Sequence, residues 1–111
     1  MTRYRAGGVV LTRFPFTDLT ADKKQPAVIL NPPGFTARHG DIVVLALTSQ
    51  LQPDGSLKLS QWKSAGLPKP TWLKPIIGTI ASQLVIRRIH AADHPRIKKA
   101  LREAIATAFL A

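Results

Sequence analysis

Up to residue 89 the apolar residues of this chain come in short runs, GVVLTRF, PAVIL, DIVVLALT, TWLKPII and LVIRRI, separated by segments rich in Gly, Pro, Asn, Asp and Ser. Runs of that length, rich in Val, Ile, Leu and aromatics, suit strands and are too short for core helices. Strands are expected over residues 9–14, 27–30, 42–48, 57–62, 71–77 and 84–89. NPPG at residues 31–34 interrupts pairing, because two consecutive prolines donate no backbone hydrogen bond. QPDGS predicts a hairpin turn, since Asp54-Gly55 supplies the positive-φ positions that a tight turn requires.

After residue 90 the period changes. Asp93 can cap the free N–H groups of a first turn and Pro95 fits that turn, so a helix starts there. Ile97, Leu101, Ile105 and Phe109 then recur every fourth residue with Ala104 and Ala108 beside them, an apolar stripe that packs on a sheet. Five or six strands and one terminal helix in 111 residues predict a mainly β fold with minor α, a small, strongly curved antiparallel sheet or partly open barrel. A chain of this length has room for one such domain, residues 1–111.

The charge points to a partner. Sixteen Lys and Arg against six Asp and Glu leave a net charge of +10, more than solubility requires. A small domain so basic favours a polyanion, nucleic acid first, then an acidic protein segment, then an anionic membrane. No run reaches the ~18 apolar residues of a membrane span, and the absence of Cys fits a reducing, cytoplasmic setting and excludes disulfides and thiolate metal sites. His39, His90 and His94 lack the spacing and neighbouring carboxylates of a zinc site, so no metal or other cofactor is expected. Scattered acids disfavour a Ser-His-Asp or paired-carboxylate hydrolase. What remains is basic, hydroxyl and amide chemistry, suited to binding or cutting a phosphodiester.

The succession GGVVLTRFPFTDL, KKQPAVIL, DIVVLALTSQ, AGLPKPTWLKP and VIRRI, in this order and spacing over almost the whole chain, resembles the PemK/MazF family of toxins from type II toxin–antitoxin systems. The resemblance implies an SH3-like barrel, a homodimer, and cleavage of single-stranded RNA without metal, the ribose 2′-hydroxyl attacking the adjacent phosphorus. It also implies a cognate antitoxin whose acidic tail covers the RNA surface. The family commonly carries Arg before the Pro that opens the second strand and Thr or Ser at the end of a later strand. Here those positions hold Gln25, before Pro26, and Thr48 with Ser49. Gln25 can donate to a phosphate oxygen but has no positive charge, so catalysis by the family route is expected to be weakened.

Lys23 and Lys24 stand beside Gln25 and can bring an ammonium to the same phosphate. Lys74 in TWLKP falls near a second basic position of the family, and reads equally as a solvent-facing residue beside Pro75. The expected catalytic set is therefore Gln25, Thr48, Ser49, Lys24 and Lys74, and the expected RNA contacts are Thr17, Asp18, Lys23, Lys24 and Arg87. Phe14 and Phe16 are read as anchors of the loop base rather than base-stacking rings, Asp18 and Asp22 as turn formers, and Trp62 and Trp72 as strand aromatics packed on their neighbours, with base platforms as their alternative role. Arg87 and Arg88 must face opposite ways on a strand, one meeting solvent or RNA and the other covering an edge. A catalytically impaired module binding RNA, operator DNA or a protein is the alternative; a gyrase poison ranks below it, because the C-terminus lies within the expected helix.

Overall fold

The computed structural model describes residues 4–13, 24–51, 58–90 and 95–110. The expected hairpin turn at Asp54-Gly55, the aromatic anchors Phe14 and Phe16, the turn residues Asp18 and Asp22 and the cap at Asp93 lie outside the described residues. The elements in chain order are β1 (Val9–Arg13), β2 (Lys24–Ile29), α1 (Phe35–His39), β3 (Asp41–Thr48), β4 (Lys58–Leu59), β5 (Thr71–Ala81), a single 3-10 turn (Ser82–Leu84), β6 (Val85–His90) and α2 (Pro95–Phe109). Among the described residues the strands form one six-stranded sheet in the order β4-β5-β3-β2-β1-β6, with every described pairing antiparallel. The mainly β class with one long C-terminal helix matches the expectation.

Both faces of the sheet are covered, which is why its central strands read as continuous apolar runs rather than alternating ones. On one face Val9, Val28, Leu45, Leu47, Leu59 and Leu73 pack with Ile97 and Leu101 of α2. On the other, Val10, Ala27, Ile29, Ile42, Val44, Ala46 and Ile80 form a second cluster, joined by Tyr4, Ile76, Leu84 and Val85. Asn31, buried where β2 ends, ties the periphery to this frame. Its Nδ2 donates to the Tyr4 carbonyl at 3.1 Å, and its Oδ1 accepts from the Val43 N–H at 3.0 Å.

NPPG interrupts the sheet as expected, and a short helix that the sequence did not announce, α1, follows it between Gly34 and Gly40. Two local expectations are corrected. The strand expected to end at Ile77 runs on through Gly78, which pairs with Val44, to Ala81. The strand expected over residues 57–62 stops at Leu59 instead of Trp62, and the chain then coils. There the Ala65 N–H bonds the Gln61 carbonyl at 2.9 Å, Gly66 bonds Lys63 at 3.1 Å and Leu67 bonds Trp62 at 3.0 Å.

The last two of those bonds make a Schellman closure, with Gly66 at φ +81° and Leu67 meeting Trp62 in the core. Burying Trp62, Ala65 and Leu67 on one side outweighs the two-residue alternation that Leu57 and Leu59 suggest. A Cβ on Gly66 would sit 3.1 Å from Ile89 Cγ2 and 3.2 Å from the Ile89 carbonyl oxygen. Gly66→Ala therefore combines a left-handed backbone with crowding, and is expected to lower stability by about 1–3 kcal/mol in chemical denaturation. An unchanged midpoint would show that the turn relaxes freely.

Candidate functional site

The site begins with two prolines. Pro26 has no N–H, and the β2–β3 ladder stops one residue after it, at the Ala27–Ala46 pair. On that side Lys24, Gln25 and Pro26 stay paired with Arg13, Thr12 and Leu11 of β1 while the end of β3 runs unpaired from them. The second proline disturbs β5. The β3–β5 register shifts between Leu45, opposite Ile77, and Leu47, opposite Leu73, so that Lys74, Pro75 and Ile76 stand against Ala46 alone. An interior strand accommodates Pro at such a bulge, and the bulge re-aims its neighbours.

Between these two irregularities lies a cleft of about 380 Å³, lined by Lys24, Gln25, Pro26, Leu47, Thr48, Ser49, Gln50 and Lys74. All five side chains expected to act on a phosphate, Lys24, Gln25, Thr48, Ser49 and Lys74, are thereby brought to one place. Lys74 is half-buried in the cleft wall rather than freely solvated. Gln25 is half-buried as well, and its position is fixed from behind. Its cross-strand partner Thr12 is fully buried and donates through Oγ1 to the Leu84 carbonyl at 2.9 Å.

Thr48 Oγ1 accepts the backbone N–H of Gln50 at 3.1 Å, which orients the hydroxyl and leaves its own hydrogen available to donate. That bond also carries Gln50, a residue the sequence reading passed over, to the rim. Its signal was local, a Thr followed two residues later by an amide where a strand stops. The lining thus offers two ammonium groups, two hydroxyls and two amides, with no carboxylate, imidazole or guanidinium among its described residues. Such a surface donates hydrogen bonds and positive charge to a phosphate. Among the described residues no three His, Asp or Glu side chains gather as a metal site would require.

Of the expected RNA contacts, Lys24 lines the cleft, and Thr17, Asp18 and Lys23 lie outside the described residues. Arg87 is exposed on β6 in the cross-strand row of Pro26 and Leu11, one residue on from Gln25 and so on the alternate face, and it does not line the cleft. Arg88 lies over the Tyr4 ring, 5.6 Å from its centroid. No described helix is long and apolar enough to cross a membrane.

A family model described as PemK-like, MazF-like toxin of type II toxin–antitoxin system matches residues 5–109. Among solved structures the chain is similar to the Mycobacterium tuberculosis toxin MazF-mt6, with 21% identity, a TM-score of 0.70, and 92% of this chain and 95% of that chain covered. It is also similar to an endoribonuclease in complex with its cognate antitoxin from a mycobacterial species, at 16% identity and TM-score 0.63 over 97% and 94% of the two chains. MazE–MazF from Deinococcus radiodurans aligns at 14% identity and TM-score 0.66 over 96% of each chain. No curated protein sequence matches the chain. At such identities the structural likeness shows a shared fold, whereas the family match extends over nearly the whole sequence: this chain belongs to the PemK-like, MazF-like toxins of type II toxin–antitoxin systems.

Proposed function

We propose that the protein is a slow endoribonuclease that cuts single-stranded RNA in the cleft between the ends of β2 and β3, and that a cognate antitoxin with an acidic tail holds it in check. The observation that carries this reading is the convergence of Lys24, Gln25, Thr48, Ser49 and Lys74 on one cleft. In the reaction the 2′-oxygen bonds to phosphorus and the P–O5′ bond breaks. The products are a 2′,3′-cyclic phosphate and a 5′-hydroxyl, the proton of the 2′-hydroxyl being replaced by one taken up at O5′. As the fifth oxygen approaches, the non-bridging oxygens gain negative charge. The Lys24 and Lys74 ammonium groups, the Gln25 amide and the Thr48 hydroxyl lower the energy of that charge. Ser49 extends the donor surface just past the end of β3.

The same lining explains the slowness. Carboxylate and imidazole, the side chains that most often relay protons, are missing from its described residues, and Gln25 brings no charge. That favours one second reading, a module that binds RNA, or operator DNA together with the antitoxin, without cutting. Long RNA incubated in EDTA separates the two. The enzyme reading expects discrete cuts with 5′-hydroxyl ends; RNA retained in a salt-sensitive complex but left whole at high protein concentration would decide for the module. In either case Lys74→Ala is expected to reduce the slope of log affinity against log salt by about 0.7, the value for one phosphate contact on a single strand. An unaltered slope would place Lys74 off the backbone path.

A further inference from the structure

We infer that Trp72 and Lys58 form a stacking subsite for one unpaired nucleobase next to the cleft; this rests on the reading of the cleft as an RNA site. Three observations meet here. Trp72 is the direct cross-strand partner of Thr48, so the two side chains rise from the same face one strand spacing apart, about 4.8 Å. It also lies two residues along β5 from Lys74, which lines the cleft. And the core does not use it: Trp62 packs against the helix-side cluster, whereas Trp72, half-buried, belongs to neither cluster. Both tryptophans thus meet neighbours, Trp62 in the apolar cluster and Trp72 outside both clusters.

What Trp72 does meet is a cation. Lys58, exposed and opposite Trp72 in the β4–β5 pair, has its Nζ 5.6 Å from the centroid of a Trp72 ring. A planar ring and a mobile ammonium side by side are the two parts that hold a single-stranded nucleotide, the ring under the base and the ammonium on its phosphate. On binding, the base takes the ring face and Lys58 swings to the adjoining phosphate, exchanging a weak surface contact for a charge-assisted one. Every base has a π-face, so this subsite holds the strand in place beside Thr48 without selecting a sequence.

The test uses short 2′-O-methyl oligoribonucleotides of mixed sequence, which have no free 2′-hydroxyl and cannot be cut by the proposed route. In a Trp62→Phe protein Trp72 is the only tryptophan, and its emission is expected to be quenched in step with binding measured by fluorescence anisotropy. Trp72→Leu, which keeps apolar bulk but no aromatic face, is expected to weaken binding about 5- to 150-fold, while Trp72→Phe keeps most of it. A merely structural tryptophan would make the Leu and Phe variants alike. Tight binding that leaves Trp72 emission unchanged, or an equal affinity for Trp72→Leu and wild type, overturns the subsite and spares the cleft. Failure of the wild-type protein to bind any oligonucleotide overturns the RNA reading itself, and the subsite with it. Quenching needs no change at residue 72, so a Trp72 variant that fails to fold leaves the inference testable.

Discussion

Replacing Gln25 with Arg is expected to raise the rate of RNA cleavage by about 10²- to 10³-fold, the effect of one well-placed donor on a developing oxyanion. Gln25 stands in the cleft wall with Lys24, Thr48 and Lys74, on backbone held through Thr12, so a longer side chain starts from a fixed point. A guanidinium offers two parallel N–H donors and a permanent charge to the phosphate, where the amide offers a neutral donor. The new cation also repels its neighbours. At ~8 Å and an effective dielectric of about 20, each Arg–Lys pair is unfavourable by about 2 kcal/mol, less once salt screens it. That repulsion acts on the free protein, and a bound phosphate relieves it as its negative charge grows toward the transition state. The variant should therefore be somewhat less stable and much faster. Gln25→Lys, with a point charge and no fork, should gain less, and Gln25→Met nothing. A folded Gln25→Arg protein that cuts no faster than wild type would remove Gln25 from the reacting phosphate.

What could be read before the fold was known depended on whether one residue type or a meeting of strands carried the information. β3 was legible because an apolar run closes abruptly at Ser49, and α2 because Ile97 and Leu101 repeat at helical spacing and are indeed buried. The same stripe overreached at its far end, where Phe109 is 45% exposed. The start of β2 was set too late, at Ala27. Lys24 and Gln25 look like loop residues, and only pairing with Arg13 and Thr12 draws them into the sheet. The cleft was legible as a set of residues through family resemblance. Its cause was not, because the parting of β2 from β3 and the bulge at Pro75 are properties of strands in register. Trp62 and Trp72 could not be told apart for the same reason: either could stack a base or pack on its strand neighbours until the clusters show which side is already filled.

Ile97→Ala is expected to lower stability by about 2–5 kcal/mol, which for a domain of this size is a fall in melting temperature of roughly 10–30 °C. Ile97 is fully buried in the cluster that joins α2 to the sheet, and truncation leaves a cavity that close-packed neighbours fill only partly. Ile97→Val should lose only about 0.5–1.5 kcal/mol, and Phe109→Ala, at the exposed end of the same stripe, about 0.5 kcal/mol or less. The gradient along one helix separates packing from helix propensity, because alanine is the better helix former at both positions. It also bears on the cleft. Leu47 and Leu73 pack in the same cluster as Ile97, each immediately before a cleft residue, Thr48 and Lys74, so the floor that α2 presses on is the back of the site. If that floor positions the site, Ile97→Ala should lose RNA cleavage beyond its loss of folded protein even well below its melting temperature, whereas Phe109→Ala should not. Equal activity per folded molecule in both variants would mean that the prolines and the register of β3 shape the cleft without support from the helix.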